Sequence, residues 1–283
     1  SDHGQGLGRN CEGLDFVGNA CWCLVQDNTF HSAGYPMIMF GDWQGGWAGN
    51  VVGYNFLNGF NQGYDLSTAP LTADDSHGPT CVFNLWEGNE GEIFGNDGYY
   101  GSAGFGTYLR NRIWGTTSEM DYADQCCLEF THWSHMYTVV GNVLGTPAGS
   151  SWNTTGRYSQ IYEASGNSFQ APQIYRLGYP DMGNRSYSGT GSNPSSSTYY
   201  DTNVKATLIR HGNFDYVNQA VLWESTISSR VLPASLYLTS KPSWFGFLAF
   251  PAIGPDVTGY RQDSPASARW AAYLASGRLQ DLF

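Results

Sequence analysis

An all-β chain of stacked coils is the fold this sequence predicts, on three observations. A loose unit recurs: a short apolar run, then Gly-Asn, Asp-Asn or a bare Asn, then another short apolar run. Examples are Val25-Gln-Asp-Asn28-Thr-Phe30, Val52-Gly-Tyr-Asn55-Phe-Leu57, Val139-Val-Gly-Asn142-Val-Leu144 and Ile209-Arg-His-Gly-Asn213-Phe214. The marker residues Asn28, Asn55, Asn89, Asn111, Asn142, Asn167 and Asn213 follow one another at roughly 20 to 35 residues with one longer gap, the range in which a period means a solenoid, propeller or array. Helical spacing of apolar residues is almost absent before the last twenty residues, whereas short apolar runs bounded by Gly, Asn, Asp and Ser are frequent.

The runs read as strands in order: Cys21-Trp-Cys-Leu-Val25, Met37-Ile-Met-Phe40, Cys81-Val-Phe-Asn-Leu-Trp86, Leu128-Glu-Phe-Thr-His-Trp133, Met136-Tyr-Thr-Val-Val140 and Val204-Lys-Ala-Thr-Leu-Ile209. Two-residue hairpin signals between them are scarce, so the Asn and Gly units read as bends between two strands of one coil. Those residues visit left-handed backbone angles cheaply. Repeated once per coil, the bends would stack an asparagine ladder down one edge, with amides hydrogen-bonded along it. Residues 183–203, rich in Ser, Gly and Asn, read as a long surface loop. Near the end, Ser264 is placed as an N-cap with Pro265 at the first helical position, giving a short capping helix. The expected division is coils over 1–225 and a C-terminal tail and cap over 226–283.

This pattern resembles the right-handed parallel β-helix, the pectate-lyase-like superfamily of secreted and phage-borne proteins. The resemblance covers about residues 10 to 220 and rests on Gly49-Asn-Val-Val-Gly-Tyr-Asn55, Leu85-Trp-Glu-Gly-Asn89 and Val140-Gly-Asn-Val143. It implies an all-β, single-stranded right-handed parallel β-helix (solenoid) with an irregular C-terminal tail and a short capping helix. It also implies an extracellular setting, with polysaccharide as the partner and a polysaccharide lyase or glycoside hydrolase as the enzyme class.

Composition narrows the partners. A net charge of -11 with only 13 Lys and Arg in 283 residues disfavours nucleic acid, which demands clustered cations. No apolar run reaches the roughly 18 residues a membrane helix requires. The N-terminus carries no charged-then-apolar signal pattern, so a soluble mature form is expected. Charged residues are 13%, aromatics 16% and glycines 36, which describes a turn-rich, aromatic-rich chain that folds rather than a disordered one. The six cysteines form no pair of C-x-x-C units, which disfavours zinc and leaves buried thiols and disulfides both open. Cys126 and Cys127, being adjacent on a strand, point to opposite faces.

Three sets of residues are candidates for chemistry. Ala73-Asp-Asp-Ser-His-Gly78 resembles fragments of the polygalacturonase-like hydrolase pattern, without its Asn-x-Asp and Arg-x-Lys elements. Asp74 and Asp75 would divide acid and base roles beside His77, each raising the other's pKa, and the alternative is a turn bonded to its own backbone. Lyases of the resembled fold abstract a proton next to a carboxylate, often with an Arg or Lys base and calcium. Arg110 and Arg112 would share a face on a regular strand and fork a uronic acid carboxylate, against a plainer role as surface ion pairs. Glu119, Asp121 and Asp124 suit calcium, which takes oxygen ligands in flexible geometry. Among the aromatics, Trp43, Trp47, Tyr99 and Tyr100 lie in Gly-flanked segments and are expected to be exposed for stacking on sugar faces.

Two readings follow. The first is an extracellular protein that binds polysaccharide along its length, with cleavage as its further step. The second is a non-catalytic structural or adhesive subunit of an appendage, filament, coat or virion surface. It would pair as a homo-oligomer or filament through an open solenoid end, since the chain starts without an evident N-terminal cap.

Overall fold

The computed structural model describes residues 13–16, 18–31, 38–41, 45–58, 71–96, 100–101, 103–115, 126–147, 160–163, 172–179 and 200–277. Among these residues twenty short strands sort into three sheets. The first holds β1 (Leu14–Phe16), β4 (Ile38–Phe40), β7 (Ala73–Asp74), β10 (Phe94–Asn96), β13 (Cys126–Phe130), β17 (Gln173–Leu177) and β16 (Ile161–Glu163). The second holds β2 (Leu24–Gln26), β5 (Val51–Gly53), β8 (Leu85–Glu87), β11 (Thr107–Leu109), β14 (Thr138–Val140) and β18 (Ile209–His211). In the third are β3 (Thr29–His31), β6 (Phe56–Asn58), β9 (Glu90–Gly91), β12 (Arg112–Ile113), β15 (Val143–Leu144), β19 (Asn213–Asp215) and β20 (Ala220–Leu222).

This corrects the expected all-β right-handed parallel β-helix. The strands lie in three separate sheets that are mostly parallel but mixed, because β20 runs antiparallel to β19. The first sheet ends out of sequence, with β17 inside and β16 at the edge. The described residues include two α-helices, α1 (Thr202–Thr207) and α2 (Pro265–Ala275), and no closed solenoid is shown among them. One run read as a strand is largely α1: Asp201 accepts from the Asn203 N–H, and this N-cap starts a helix where β-branched residues had suggested an extended chain.

The sheets share one core. Alternation along each strand turns Val25, Val52, Trp86, Tyr108 and Val139 of the second sheet inward against Ile38, Phe40, Phe94, Leu128 and Phe130 of the first and Leu57, Ile113 and Leu144 of the third. Cys127 joins this core while Cys126 packs with Leu71 and Ile93, so the adjacent pair does divide between two clusters. The five described cysteines are free thiols.

The asparagine ladder is present. Asn28, Asn55, Asn89, Asn111 and Asn142 each donate Nδ2 to Oδ1 of the next, ending at Asn213, at 3.0 Å in every case. Each backbone N–H reaches the same acceptor at 2.8–3.0 Å. Asn167 lies outside the described residues. The left-handed residue is the one before each Asn: Asp27, Tyr54, Gly88, Arg110, Gly141 and Gly212, at φ between 54° and 68°. The Asn itself is held to the geometry of its amide bonds. Asn111→Ala would leave the Asn89 backbone N–H and one Asn89 Nδ2 hydrogen without their acceptor and remove a donor from the Trp86 carbonyl, all buried, while Asn142 Oδ1 keeps the backbone N–H of residue 111. A loss of about 2 kcal/mol in urea denaturation is expected, and a change under about 0.5 kcal/mol would remove the ladder from the list of stabilising features.

Past Leu222 the chain folds back across the ladder edge at Tyr54. Tyr54 is enclosed by Tyr237, Trp244, Phe245 and Phe250 at ring distances of 5.2 to 6.2 Å. Helix α2 starts at Ser264 in a capping box with Pro265 at its first turn, as the sequence indicates. It lies against β3, the edge strand at the far end of the third sheet from β20: Arg269 holds Asp27 through both nitrogens, and Trp270 packs on His31 at 4.2 Å.

Candidate functional site

The chain bends at two places on entering and leaving the second sheet. The exit bend is the ladder edge, covered by the tail. The entry bend follows a line of parallel bridges, Cys21 to Ala48 to Val82 to Gly104 to His135. The next residue in each layer is left-handed: Trp22 (φ 60°), Gly49 (69°), Phe83 (58°), Phe105 (57°) and Met136 (62°). Bulky side chains rarely adopt this region, at a cost of about 1–2 kcal/mol each. Here burial does not offset that cost. Trp22 is 87% exposed, Phe83 63%, Phe105 48% and Met136 51%.

These side chains form one row along the stacking direction. Phe83 and Phe105 stack at 5.2 Å with planes 29° apart. The Trp22 ring leans over the Gly49 layer, where an added Cβ would lie 3.1 Å from Trp22 Cε3. Five layers at about 4.8 Å give a track of roughly 19 Å. Beside it, on the outward face of the second sheet, runs the register row Leu24, Val51, Leu85, Thr107, Thr138 and Ile209. The segments 20–24, 47–51, 81–85, 103–107 and 134–138 contain no Lys, Arg, Asp or Glu. Their one histidine, His135, pairs with Asp201 at 2.7 Å. The segments are therefore apolar, dotted with hydroxyls, and carry no Lys, Arg, Asp or Glu of their own, with the Asp201 carboxylate standing at the His135 end.

The residues singled out from sequence fall elsewhere. Trp47 is fully buried in the shared core, because its flanking Gly46 and Gly49 serve left-handed bends rather than an exposed loop. Tyr100 is 47% exposed and stands edge-on to His77 at 5.2 Å. Trp43 and Tyr99 lie outside the described residues, as do Glu119, Asp121 and Asp124. Among the described residues no group of three His, Cys, Asp or Glu could hold a metal ion.

Asp74 and Asp75 are adjacent but face opposite ways. Asp74 turns from the core, accepts from the Ser76 N–H at 2.9 Å and lies 3.8 Å from His77 Nδ1. This is a turn bonded to its own backbone. Asp75 points inward and accepts from Trp86 Nε1 at 2.8 Å and the Tyr137 hydroxyl at 3.1 Å. Burial pushes its carboxyl up to about 7, against the opposing pull of hydrogen bonds from Trp86, Asn84 and Tyr137. Desolvation, rather than the neighbouring carboxylate, is the cause. On the outward face of the first sheet, Asp74 and Glu129 flank Gly95 in register, and Arg176 reaches Glu129 at 3.4 Å.

Arg110 and Arg112 do not share a strand. Arg110 is left-handed at the bend between β11 and β12, so the alternation that would align the two is interrupted. Arg110 is buried under the tail, donating to both oxygens of Asp256 and to the carbonyls of Pro233 and Ile253. Arg112 donates to the Val143 carbonyl and lies 5.3 Å over the Tyr216 ring, where desolvation holds its guanidinium below its ordinary value.

Sequence reasoning passed over the exposed row because each of its bulky residues stands in or beside an apolar run and reads as buried strand. A signal was present: each row residue lies six positions before a ladder asparagine, 22 before 28, 49 before 55, 83 before 89, 105 before 111 and 136 before 142. No family model matches the chain, and no curated protein or solved structure is similar to it.

Proposed function

We propose that the protein binds an extended polysaccharide along the row Trp22, Gly49, Phe83, Phe105 and Met136. The observation that carries this reading is four bulky apolar side chains held left-handed and exposed in four of five successive layers of one edge. Conformational strain without a packing return is characteristic of ligand-contacting positions. The rings of Trp22, Phe83 and Phe105 and the Met136 side chain offer a sugar chain a succession of apolar contacts. Among the described residues no helix is long and apolar enough to cross a membrane.

A double variant, Phe83→Ala with Phe105→Ala, tests the reading by affinity electrophoresis in gels cast with a panel of polysaccharides. Two rings at about 1 kcal/mol each predict about thirty-fold weaker retention of the polymer that holds the wild type. The melting temperature should stay within a few degrees, because both rings lie outside the core. Retention equal to wild type, or no retention of wild type by any polymer, overturns it.

A further inference from the structure

We infer that the polymer taken by this row is a neutral, extended glycan and not a polyuronate. The inference rests on the row being the binding track. Two observations set the charge class. The five segments that build the row hold no Lys or Arg, so a uronic acid carboxylate would meet no cation supplied by those segments. His135 at the end of the row is paired with Asp201. The adjoining outward row offers Val51, Leu85, Thr107 and Thr138, apolar groups and hydroxyls that complement a sugar without formal charge. The chain as a whole carries -11, which repels a polyanion at low salt.

Four of the described arginines are engaged with carboxylates of the chain. Arg110 is under the tail with Asp256, Arg261 with Glu90 at 2.6 Å, Arg269 with Asp27, and Arg210 with Glu163 at 2.7 Å. The row's geometry also constrains the ligand's shape. The rings follow one another along the stack rather than enclosing a cavity, so the ligand lies across the strands and offers one ring face per layer. A chain with bulky substituents on every sugar would be lifted from the Phe83 and Phe105 pair, whose planes differ by 29°.

The test is calorimetric titration of the full chain with soluble neutral glucan, mannan and xylan oligomers and with oligogalacturonate and alginate oligomers, each at 20 and 500 mM NaCl. A neutral oligomer is expected to bind, with affinity changing less than two-fold between the two salts, and Phe105→Ala is expected to weaken it at least five-fold. Phe105→Glu should abolish neutral binding, and Thr107→Lys should create uronate binding that the wild type lacks and that salt removes. Wild-type binding of an acidic oligomer in preference to neutral ones overturns the charge class while leaving the track intact, provided Phe105→Ala weakens it. Binding that Phe105→Ala leaves unchanged overturns the track itself. So does sedimentation showing a wild-type dimer that Phe83→Ala and Phe105→Ala convert to monomer, which would make the row a contact between copies.

Discussion

Wild-type protein is expected to lose stability as pH rises from 5 to 8, and Asp75→Asn to remove that loss. The carboxyl of Asp75 is closed into the core between the Trp86 indole and the Tyr137 hydroxyl, with Cys81, Tyr108 and Asp74 as its other ionisable neighbours. Burial raises it from 3.8 to about 7. Because the folded-state value is the higher one, the native protein holds a proton that the unfolded chain has released between those values. Stability is thus greatest below the unfolded value and declines as pH climbs towards 7. At about 1.4 kcal/mol per unit, the whole span amounts to a loss on the order of 4 kcal/mol. Two histidines work in the opposite direction. Burial lowers His31 and His132, so each contributes stability that grows as pH rises through the ordinary histidine range. The difference between wild type and Asp75→Asn isolates the carboxyl. Urea denaturation at pH 5, 6, 7 and 8 reads it directly. A wild type as stable at pH 8 as at pH 5, with Asp75→Asn following the same curve, would mean that Asp75 ionises at no cost.

The reach of the sequence depended on whether one residue could do its work alone. The asparagine ladder was legible because its period and the chemistry of its amide coincide: one Asn per layer can donate to the next Asn and accept from the one before. The N-cap and proline at Ser264 and Pro265 were legible for the same local reason. The three-sheet arrangement was not, since a run such as Cys81 to Trp86 reads as one strand until Phe83 is known to be left-handed. The bend shortens the strand to Leu85–Glu87 and turns Phe83 outward. Trp47 failed in the reverse sense, its neighbouring glycines suggesting exposure when they only allow two sharp turns around a buried indole. Asp74 and Asp75 share a sequence motif, yet the pleat sends them to opposite faces, which adjacency predicts and motif reading overlooks. The Arg110 pairing with Asp256 spans 146 positions, and no local pattern announces it.

That pairing carries the second large effect, because Arg110 is where the tail is fastened. Its side chain is almost wholly enclosed and its fork donates to Asp256 at 2.7 and 2.8 Å, to Pro233 at 2.7 Å and to Ile253 at 2.9 Å. Arg110→Met keeps the stem but leaves two carbonyls without a donor and the Asp256 carboxylate without its cation. A loss of about 3 kcal/mol is expected, with about 1 from each orphaned carbonyl and the rest from the carboxylate. Asp256→Asn should cost less, since the half-exposed Asp256 side chain accepts water and the carbonyl bonds survive. The guanidinium also holds the Asp256 carboxyl below its ordinary value, so this contribution is present at neutral pH and fades as pH falls through the acid range. The location of the effect distinguishes a fastening from a general core contact. In Arg110→Met, hydrogen exchange should quicken over 223–277, including the α2 amides that rest on β3, while amides of the second-sheet strands β5 and β8 keep their wild-type protection. Equal acceleration in both would make Arg110 part of one cooperative core. No acceleration in the tail, with stability within about 0.5 kcal/mol of wild type, would place the hold on the Tyr54 ring cluster and the Arg261 contact with Glu90 instead.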